Sequence, residues 1–190
     1  TSGSITFTGP VGLDSTGSIT IQTANADSDD LSFSSTIDDT GNDSNLIINT
    51  NNGTASAPGG ESGDLTFSGS VGSTNSIASI NVSGADDVTI SGDAVTSAGS
   101  ISITSDTVAL GGTSNTTTLT SGAADTEDIT ITGTIDDASS DTTLSLNAGA
   151  LGDVTLSSAV GGTNAPAAFT ISNAFDATLQ AVTTAASGNI

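Results

Sequence analysis

Short apolar alternations recur along the whole chain. In each of them, two aliphatic or phenylalanine side chains flank a Thr or Ser, and turn-forming Gly, Asn, Asp or Ser separates one alternation from the next. They begin at Ile5, Ile19, Leu31, Leu65, Val88, Ile101, Ile129 and Leu144. A period of two residues with β-branched side chains predicts half-buried β-strands. No segment keeps the 3.6-residue apolar spacing of an amphipathic helix, so the pattern predicts an all-β protein.

The chain also repeats itself. Residues 63–72 match residues 152–161, and the match continues without a gap until Ile101 lies over Ile190, an offset of 89 residues. Earlier, the sequence TIDD at 36–39 recurs at 134–137 with an offset of 98, because the loop 49–62 is longer than its counterpart 147–151. These matches divide the chain into a first repeat, 1–100, and a second repeat, 101–190. Since Ile5, Ile101 and Ile190 take the same place in the repeat, we expect one continuous stack that is an excerpt of a longer repetitive chain.

The seven short strands of each repeat need partners for their backbone groups. A β-sandwich leaves exposed edge strands, which proteins usually protect with Lys, Pro or bulges, and this chain has no Lys and three Pro. A repetitive parallel β-helix, or β-solenoid, avoids the problem by stacking each strand on the next coil. Coils of about 20 to 30 residues give three to five coils per repeat. A tandem β-sandwich array is the alternative, because strand signals every 8 to 15 residues also fit it. In either fold we expect the core to contain the aliphatic residues and all five phenylalanines: Phe7, Phe33, Phe67, Phe169 and Phe175.

The charge of the chain excludes several classes of function. There are 21 acidic residues and no Lys, Arg or His, which gives a formal net charge of -21. Binding to nucleic acid or to anionic lipid depends on cations that this chain lacks. The absence of Cys and His excludes disulfides, Cys/His metal sites and Ser-His-Asp catalysis, and no apolar run is long enough to span a bilayer. Paired carboxylates also serve glycoside hydrolysis, but there is no Trp or Tyr to hold a sugar, so we expect no enzymatic activity.

Acidic clusters bracket the same predicted strand in both repeats. Clustered carboxylates in turns are the hard oxygen ligands that Ca²⁺ prefers, so the clusters are candidate calcium sites. The alternative is that these carboxylates are solvated and keep the chain soluble. An EF-hand is excluded, because Asp30 stands where that loop needs Gly and Thr36 stands where it needs a bidentate Glu. The candidate ligands are Asp27, Asp29, Asp30, Asp38 and Asp39 in the first repeat and Asp125, Glu127, Asp128, Asp136 and Asp137 in the second.

Several segments of the second repeat resemble the repeat tracts of giant bacterial surface proteins, the filamentous-haemagglutinin-like and autotransporter-type adhesins. They are TIDD at 134–137, LSLNAG at 144–149, GDVTL at 152–156, AVGGT at 159–163 and AVTT at 181–184. The resemblance is one of repeat style and composition. It implies a secreted cell-surface protein with a right-handed parallel β-helix shaft and a role in adhesion, in a biofilm matrix or in a fibre. The chain departs from that family in lacking Lys, Arg and Tyr.

Two functional expectations follow. The first is an extracellular structural protein that forms a fibre or surface shaft by end-to-end stacking of its β-coils, with copies of itself or neighbouring repeats as partners. The alternative is the stalk of a bacterial adhesin that contacts glycans, surfaces or other cells through the loop 49–62. Neither function needs a cofactor, apart from the Ca²⁺ that the acidic clusters suggest.

Overall fold

The computed structural model describes residues 3–24, 26–51, 62–111, 116–138, 141–185 and 189–190. Over these residues the chain forms 17 β-strands and no helix. In chain order the strands are β1 Ile5–Phe7, β2 Val11–Leu13, β3 Ser18–Gln22, β4 Leu31–Phe33, β5 Ile37–Asp39, β6 Asn45–Asn49, β7 Leu65–Phe67, β8 Ser79–Ser83, β9 Asp87–Ile90, β10 Ala94–Thr96, β11 Ile101–Leu110, β12 Thr116–Thr120, β13 Ile129–Asp137, β14 Thr143–Asn147, β15 Val154–Leu156, β16 Ala168–Asn173 and β17 Ala177–Thr178.

The strands form three parallel ladders, which we call faces 1, 2 and 3. Face 1 contains β1, β4, β7, β9 and the C-terminal halves of β11 and β13. Face 2 contains β2, β5, β10, β12, β14 and β16, with Val71 bridging β5 to β10. Face 3 contains β3, β6, β8, the N-terminal halves of β11 and β13, β15 and β17. The chain visits the three faces in turn, and face 1 spans seven turns from Ile5 to Val182.

Each strand pairs with the strand at the same place in the next coil. The register of face 1 runs through Ile5, Leu31, Leu65, Val88, Val108, Ile135, Val160 and Val182, with 20 to 34 residues between neighbours. All strand pairs within the described ranges are parallel. The predicted β-solenoid is therefore confirmed. The alternative of tandem β-sandwiches is wrong, because sandwich sheets are built from antiparallel strands.

A thin apolar core fills the interior of the coils. Burial alternates along the strands, so that Ile, Val, Leu and Phe point inward while Thr and Ser point outward. Phe33, Phe67 and Phe169 are buried, and the ring of Phe7 stacks on that of Phe33 with a centroid distance of 4.9 Å. The prediction that all five phenylalanines fill the core is wrong for Phe175, which is 65% exposed. Phe175 lies in the turn between β16 and β17, outside the inward and outward alternation of the strands.

The apolar alternations located one set of strands and missed another. Every alternation used for the prediction lies in an observed strand. The missed strands are β2, β5 and β10 on face 2 and the C-terminal halves of β11 and β13 on face 1. β2 has Gly12 at its outward position, and β5 ends in Asp38 and Asp39, so neither shows the apolar–Thr–apolar pattern. Pairing between neighbouring coils, rather than local sequence, makes these segments strands.

One sequence repeat does not correspond to a whole number of coils. Leu31 lies on face 1, but its equivalent in the second repeat, Ile129, lies on face 3. From Leu31 the chain completes three turns to Val108 and then passes over face 2 to face 3. One repeat therefore advances the stack by about three and two-thirds turns. Features of faces 1, 2 and 3 in the first repeat reappear on faces 3, 1 and 2 in the second. Both β8 and β9 pair with β11, so the ladders run without interruption across the boundary between 1–100 and 101–190.

Two equivalent glycines let neighbouring coils approach closely. Gly72 and Gly161 have left-handed φ angles of 65° and 69°, which residues with a side chain rarely adopt. A Cβ atom at Gly72 would overlap the carbonyl oxygen of Thr96, and one at Gly161 would overlap that of Thr183. Both carbonyl groups belong to the next coil, so these positions require Gly for conformation and for space.

Candidate functional site

The repeated TIDD motif ends with a buried carboxylate that caps a turn. Only 3% of the Asp39 surface is exposed. Its Oδ2 accepts hydrogen bonds from the N–H groups of residues 41–43 at 2.8 to 3.1 Å, and its Oδ1 accepts one from the Ser44 N–H at 3.2 Å. Hydrogen bonds from the Ser44 side chain and from these backbone groups outweigh burial and lower the pKa of Asp39 to about 2. In the second repeat, the fully buried Asp137 accepts from the Thr142 N–H at 2.7 Å.

The preceding aspartate of the same motif holds the next coil. Asp38 Oδ1 accepts hydrogen bonds from the N–H groups of residues 74 and 75, at 2.8 and 3.4 Å. Asp136 Oδ1 accepts from the N–H groups of residues 163 and 164, at 2.8 and 2.9 Å. The two bonding patterns are the same, although Asp38 lies on face 2 and Asp136 on face 1. The motif is therefore a clamp between consecutive coils.

A second set of aspartates forms two columns along the stack. Each of these residues directly precedes the first apolar residue of a strand. Within a column, the Oδ1 of each aspartate except the last accepts a hydrogen bond from the N–H of the aspartate in the next coil. The bonds are 2.8 to 3.2 Å long. Because the acceptors are charged, such bonds are stronger than those between neutral groups. The columns are Asp30, Asp64 and Asp87 on face 1 and Asp128, Asp153 and Asp176 on face 3.

The first column has more negative charge than its hydrogen bonds compensate. Burial raises the pKa of Asp64 more than the hydrogen bond from the Asp87 N–H lowers it, and the charges of Asp87, Asp30 and Asp86 raise it further. Burial also raises the pKa of Asp106 in the following coil, and the charges of Asp86 and Asp87 add to this effect. The Oδ1 atom of Asp106 is buried without a hydrogen-bond partner. The surroundings of Asp64 and Asp106 therefore favour the protonated forms of these two carboxylates.

The other predicted site residues lie in the turns before β4 and β13. Asp27 and Asp125 are exposed, whereas Asp29 is only 5% exposed. Glu127 Oε2 accepts a hydrogen bond from the Ala124 N–H at 2.6 Å, which closes its own turn. The acidic clusters of the sequence thus divide into turn caps, clamps between coils and exposed turn residues.

This division bears on calcium binding. Over the described residues, no group of three or more acidic side chains is arranged so that it could hold a metal ion. The predicted calcium sites gain no support from the geometry, and Ca²⁺ binding stays a prediction. Sequence reasoning missed Asp64, Asp87, Asp153 and Asp176, the remaining members of the two columns. The signal that could have found them is an aspartate directly before the first apolar residue of a strand, as in Asp30-Leu31.

An open groove of about 260 Å³ lies beside the second TIDD motif. The carboxylates of Asp136 and Asp137 at this groove already accept backbone hydrogen bonds. The groove is therefore part of the clamp between coils. Its lining residues are Thr107, Ala109, Asp136, Asp137, Ala138, Thr163 and Asn164.

The first and last coils present apolar side chains that the inner coils bury. Among the described strands, β1, β2 and β3 pair on one side only. At the other end, Leu179 is 37% exposed, whereas its equivalent Ile90 is fully buried between two coils. Both ends thus combine free strand edges with incompletely covered core residues. In the part of the chain that the structure describes, the half-buried apolar residues packed on the core all lie at the two ends: Ile5, Phe7, Val11, Ile19, Ile21, Ile171, Ala174 and Val182.

Comparisons with known proteins identify no family for this chain. No protein-family model, no curated protein and no solved structure matches it. Within the described ranges, no helix has the length and apolar character needed to cross a membrane. The class is therefore defined by the fold alone, as a β-solenoid with aspartate clamps between its coils.

Proposed function

We propose that this chain is an extracellular structural protein that forms a fibre or surface shaft by end-to-end stacking of its β-coils. The observation that carries the proposal is that, among the described residues, the half-buried apolar side chains packed against the core are confined to the first and last coils. Apolar groups at a free strand edge gain stability when another strand covers them and pairs with the edge. Stacking of further coils covers the apolar groups and pairs the strand edges at the same time.

The contacts between coils suit a shaft that bears load along its axis. Backbone hydrogen bonds of the three faces run from coil to coil, and the side chains of Asp38 and Asp136 add bonds in the same direction. Pulling two coils apart therefore breaks many hydrogen bonds together, along with the apolar core. Each coil contacts mainly its neighbours, as in other solenoids.

The surface charge supports separate rather than bundled shafts. With a formal charge of -21 and no cation, neighbouring shafts repel each other along their length. The absence of Lys and Arg also leaves no peptide bond for proteases that cut after basic residues, which suits exposure outside the cell. An extracellular or cell-surface location is part of this proposal.

Sedimentation velocity over a range of protein concentrations tests the proposal. We expect the sedimentation coefficient to increase with concentration, and more strongly at high ionic strength, because salt screens the repulsion between like charges. The variant Ile21→Asp places a charge on the first coil and should abolish association. The matched control Thr104→Asp adds the same charge to an exposed position in β11, in the middle of the stack, and should leave association intact. A parent chain that remains a monomer at all concentrations and ionic strengths would refute the proposal.

A further inference from the structure

The internal junction between the two repeats provides a template for the contact between two copies. At this junction β8 pairs with β11 in the register Ile80 to Ile101, Asn81 to Ser102 and Val82 to Ile103. The N–H of Ile80 also donates to the Ser100 carbonyl at 3.0 Å, and the N–H of Ile101 donates to that of Asp128 at 2.8 Å. All four core residues of this junction, Ile80, Val82, Ile101 and Ile103, are at most 2% exposed.

Each end of the chain contains one half of this junction. At the C-terminal end, Phe169 is equivalent to Ile80, and its N–H donates to the Asn189 carbonyl at 3.1 Å. At the N-terminal end, Ile5 is equivalent to Ile101, and its N–H donates to the Asp30 carbonyl at 2.8 Å. The hydrogen bonds of the two ends thus correspond to those on the two sides of the internal junction. The ends are complementary, since one presents the β8 side and the other presents the β11 side.

We infer that a second copy of this chain docks head to tail on the C-terminal end, rotated by one face about the axis of the stack. This inference rests on the proposed function and specifies its contact. Strand β1 of the second copy pairs with β16, in the register Ile5 to Phe169, Thr6 to Thr170 and Phe7 to Ile171. On the next face, β2 pairs with β17, as the second half of β11 pairs with β9 inside the chain.

The same rotation also pairs the strand edges on the third face. Inside the chain, Val95 pairs with Leu119. Val182 takes the place of Val95 at the C-terminal end, because it bridges to Val160 as Val95 bridges to Val71. Ile21 takes the place of Leu119 at the N-terminal end, and both Val182 and Ile21 are half-buried. A single rotation therefore brings all three edges into a register that already exists within the chain. Without rotation, β1 would instead meet Val182 on face 1, and no internal junction has that combination of sequences.

Docking also changes one hydrogen bond at the C-terminal end. Asn189 lies on the edge of β16 that β1 of the second copy occupies, where its carbonyl accepts from the Phe169 N–H, and the neighbouring Ile190 is 79% exposed. The incoming strand displaces these two residues, and the Phe169 N–H then donates to the Ser4 carbonyl of the second copy. One hydrogen bond replaces another, while the exposed apolar groups of both ends become covered. Deletion of residues 186–190 is therefore expected to tighten the association.

Engineered disulfides test the register, because the chain has no native cysteine. Thr6 and Thr170 both point outward, and paired parallel strands bring such positions to within about 5 Å, a distance that a disulfide spans. The variant T6C/T170C should form a ladder of covalent dimers, trimers and longer species on oxidation, with the disulfide between positions 6 and 170 identified by peptide mass spectrometry. The control T6C/T183C tests docking without rotation and should form no ladder. T6C alone should stop at dimers.

The outcomes separate this inference from the proposed function. If T6C/T183C forms a ladder, the rotated register is overturned and end-to-end stacking is left intact. The same conclusion follows if neither double variant forms a ladder while the parent chain associates in sedimentation experiments. A parent chain that stays monomeric refutes the proposed function together with the inference. Failure of the 186–190 deletion to increase association would contradict the displacement of Asn189 and Ile190.

Discussion

Replacement of Phe33 by Ala is expected to remove the best-packed aromatic contact of the stack. Phe33 is 1% exposed and lies between two other rings, with centroid distances of 4.9 Å to Phe7 and 5.6 Å to Phe67. Truncation of a buried Phe to Ala costs about 3 to 5 kcal/mol, including the cavity that it leaves. Of this, each lost ring contact accounts for about 0.5 to 1.5 kcal/mol.

Phe7→Ala provides the matched control. Phe7 is half-buried in the first coil and has a single ring contact, with Phe33. Since full burial of such a side chain is worth about 1.5 to 3 kcal/mol, its truncation should cost about 1 to 2 kcal/mol. The difference between the two variants, about 2 to 3 kcal/mol, measures the value of an inner position in the stack over an end position.

Urea unfolding at 25 °C is the appropriate assay, followed by far-UV circular dichroism because the chain has no Trp or Tyr for fluorescence. The free energy of unfolding comes from linear extrapolation, with the slope compared between variants to check that the same surface unfolds. If Phe33→Ala costs no more than Phe7→Ala, the rings do not form a continuous stack across the first three coils, and the register of face 1 is wrong.

Three further substitutions test the clamps and corners. Asp39→Asn should lower the melting temperature at pH 7, and the difference from the parent should close as the pH falls from 4 to 2. The reason is that the pKa of Asp39 is lowered in the folded state, so the ionised carboxylate stabilises the fold above the ordinary pKa of an aspartate and no longer does so below about pH 2. Asp106→Asn should raise the melting temperature at pH 7 and lose this advantage in acid, because the raised pKa of Asp106 means that the folded state disfavours its ionised carboxylate. An unchanged melting temperature at pH 7 would contradict the excess of negative charge on face 1. Gly72→Ala should lower the free energy of unfolding by more than about 1 kcal/mol, because Gly72 has a left-handed φ and an added Cβ would overlap the Thr96 carbonyl oxygen. The control Gly9→Ala should be close to neutral, because a Cβ there meets nothing within 4 Å. Equal losses of stability would show that the corner at Gly72 tolerates a side chain.

Local sequence predicted much of the fold because the coils repeat a simple pattern. Apolar alternation located strands such as β4 and β7, where each inward residue meets another one in the next coil. It missed β5, because the strand ends in two aspartates whose partners are backbone N–H groups. Such partners are up to 37 residues away for Asp38, beyond the reach of any local pattern.

The rotation of equivalent features between repeats was also beyond sequence reasoning. An offset of 89 to 98 residues between equivalent positions does not state how many turns of the stack it contains. That number depends on how many residues each corner and loop takes up, and the ladder steps vary from 20 to 34 residues. The loop 49–62, predicted as the contact site of an adhesin, lies largely outside the described residues, with only its ends at 49–51 and 62 described.

The most direct test of end-to-end stacking is electron cryomicroscopy of the concentrated chain at high ionic strength. Two repeats advance the stack by about seven and one-third turns, which at the spacing of paired strands corresponds to a rise of about 35 Å per copy. We predict fibres with a strand repeat of about 4.8 Å along the axis, the rise of about 35 Å per copy and a rotation of one face between copies. Separate particles no longer than a single stack, at every concentration and ionic strength, would contradict the account.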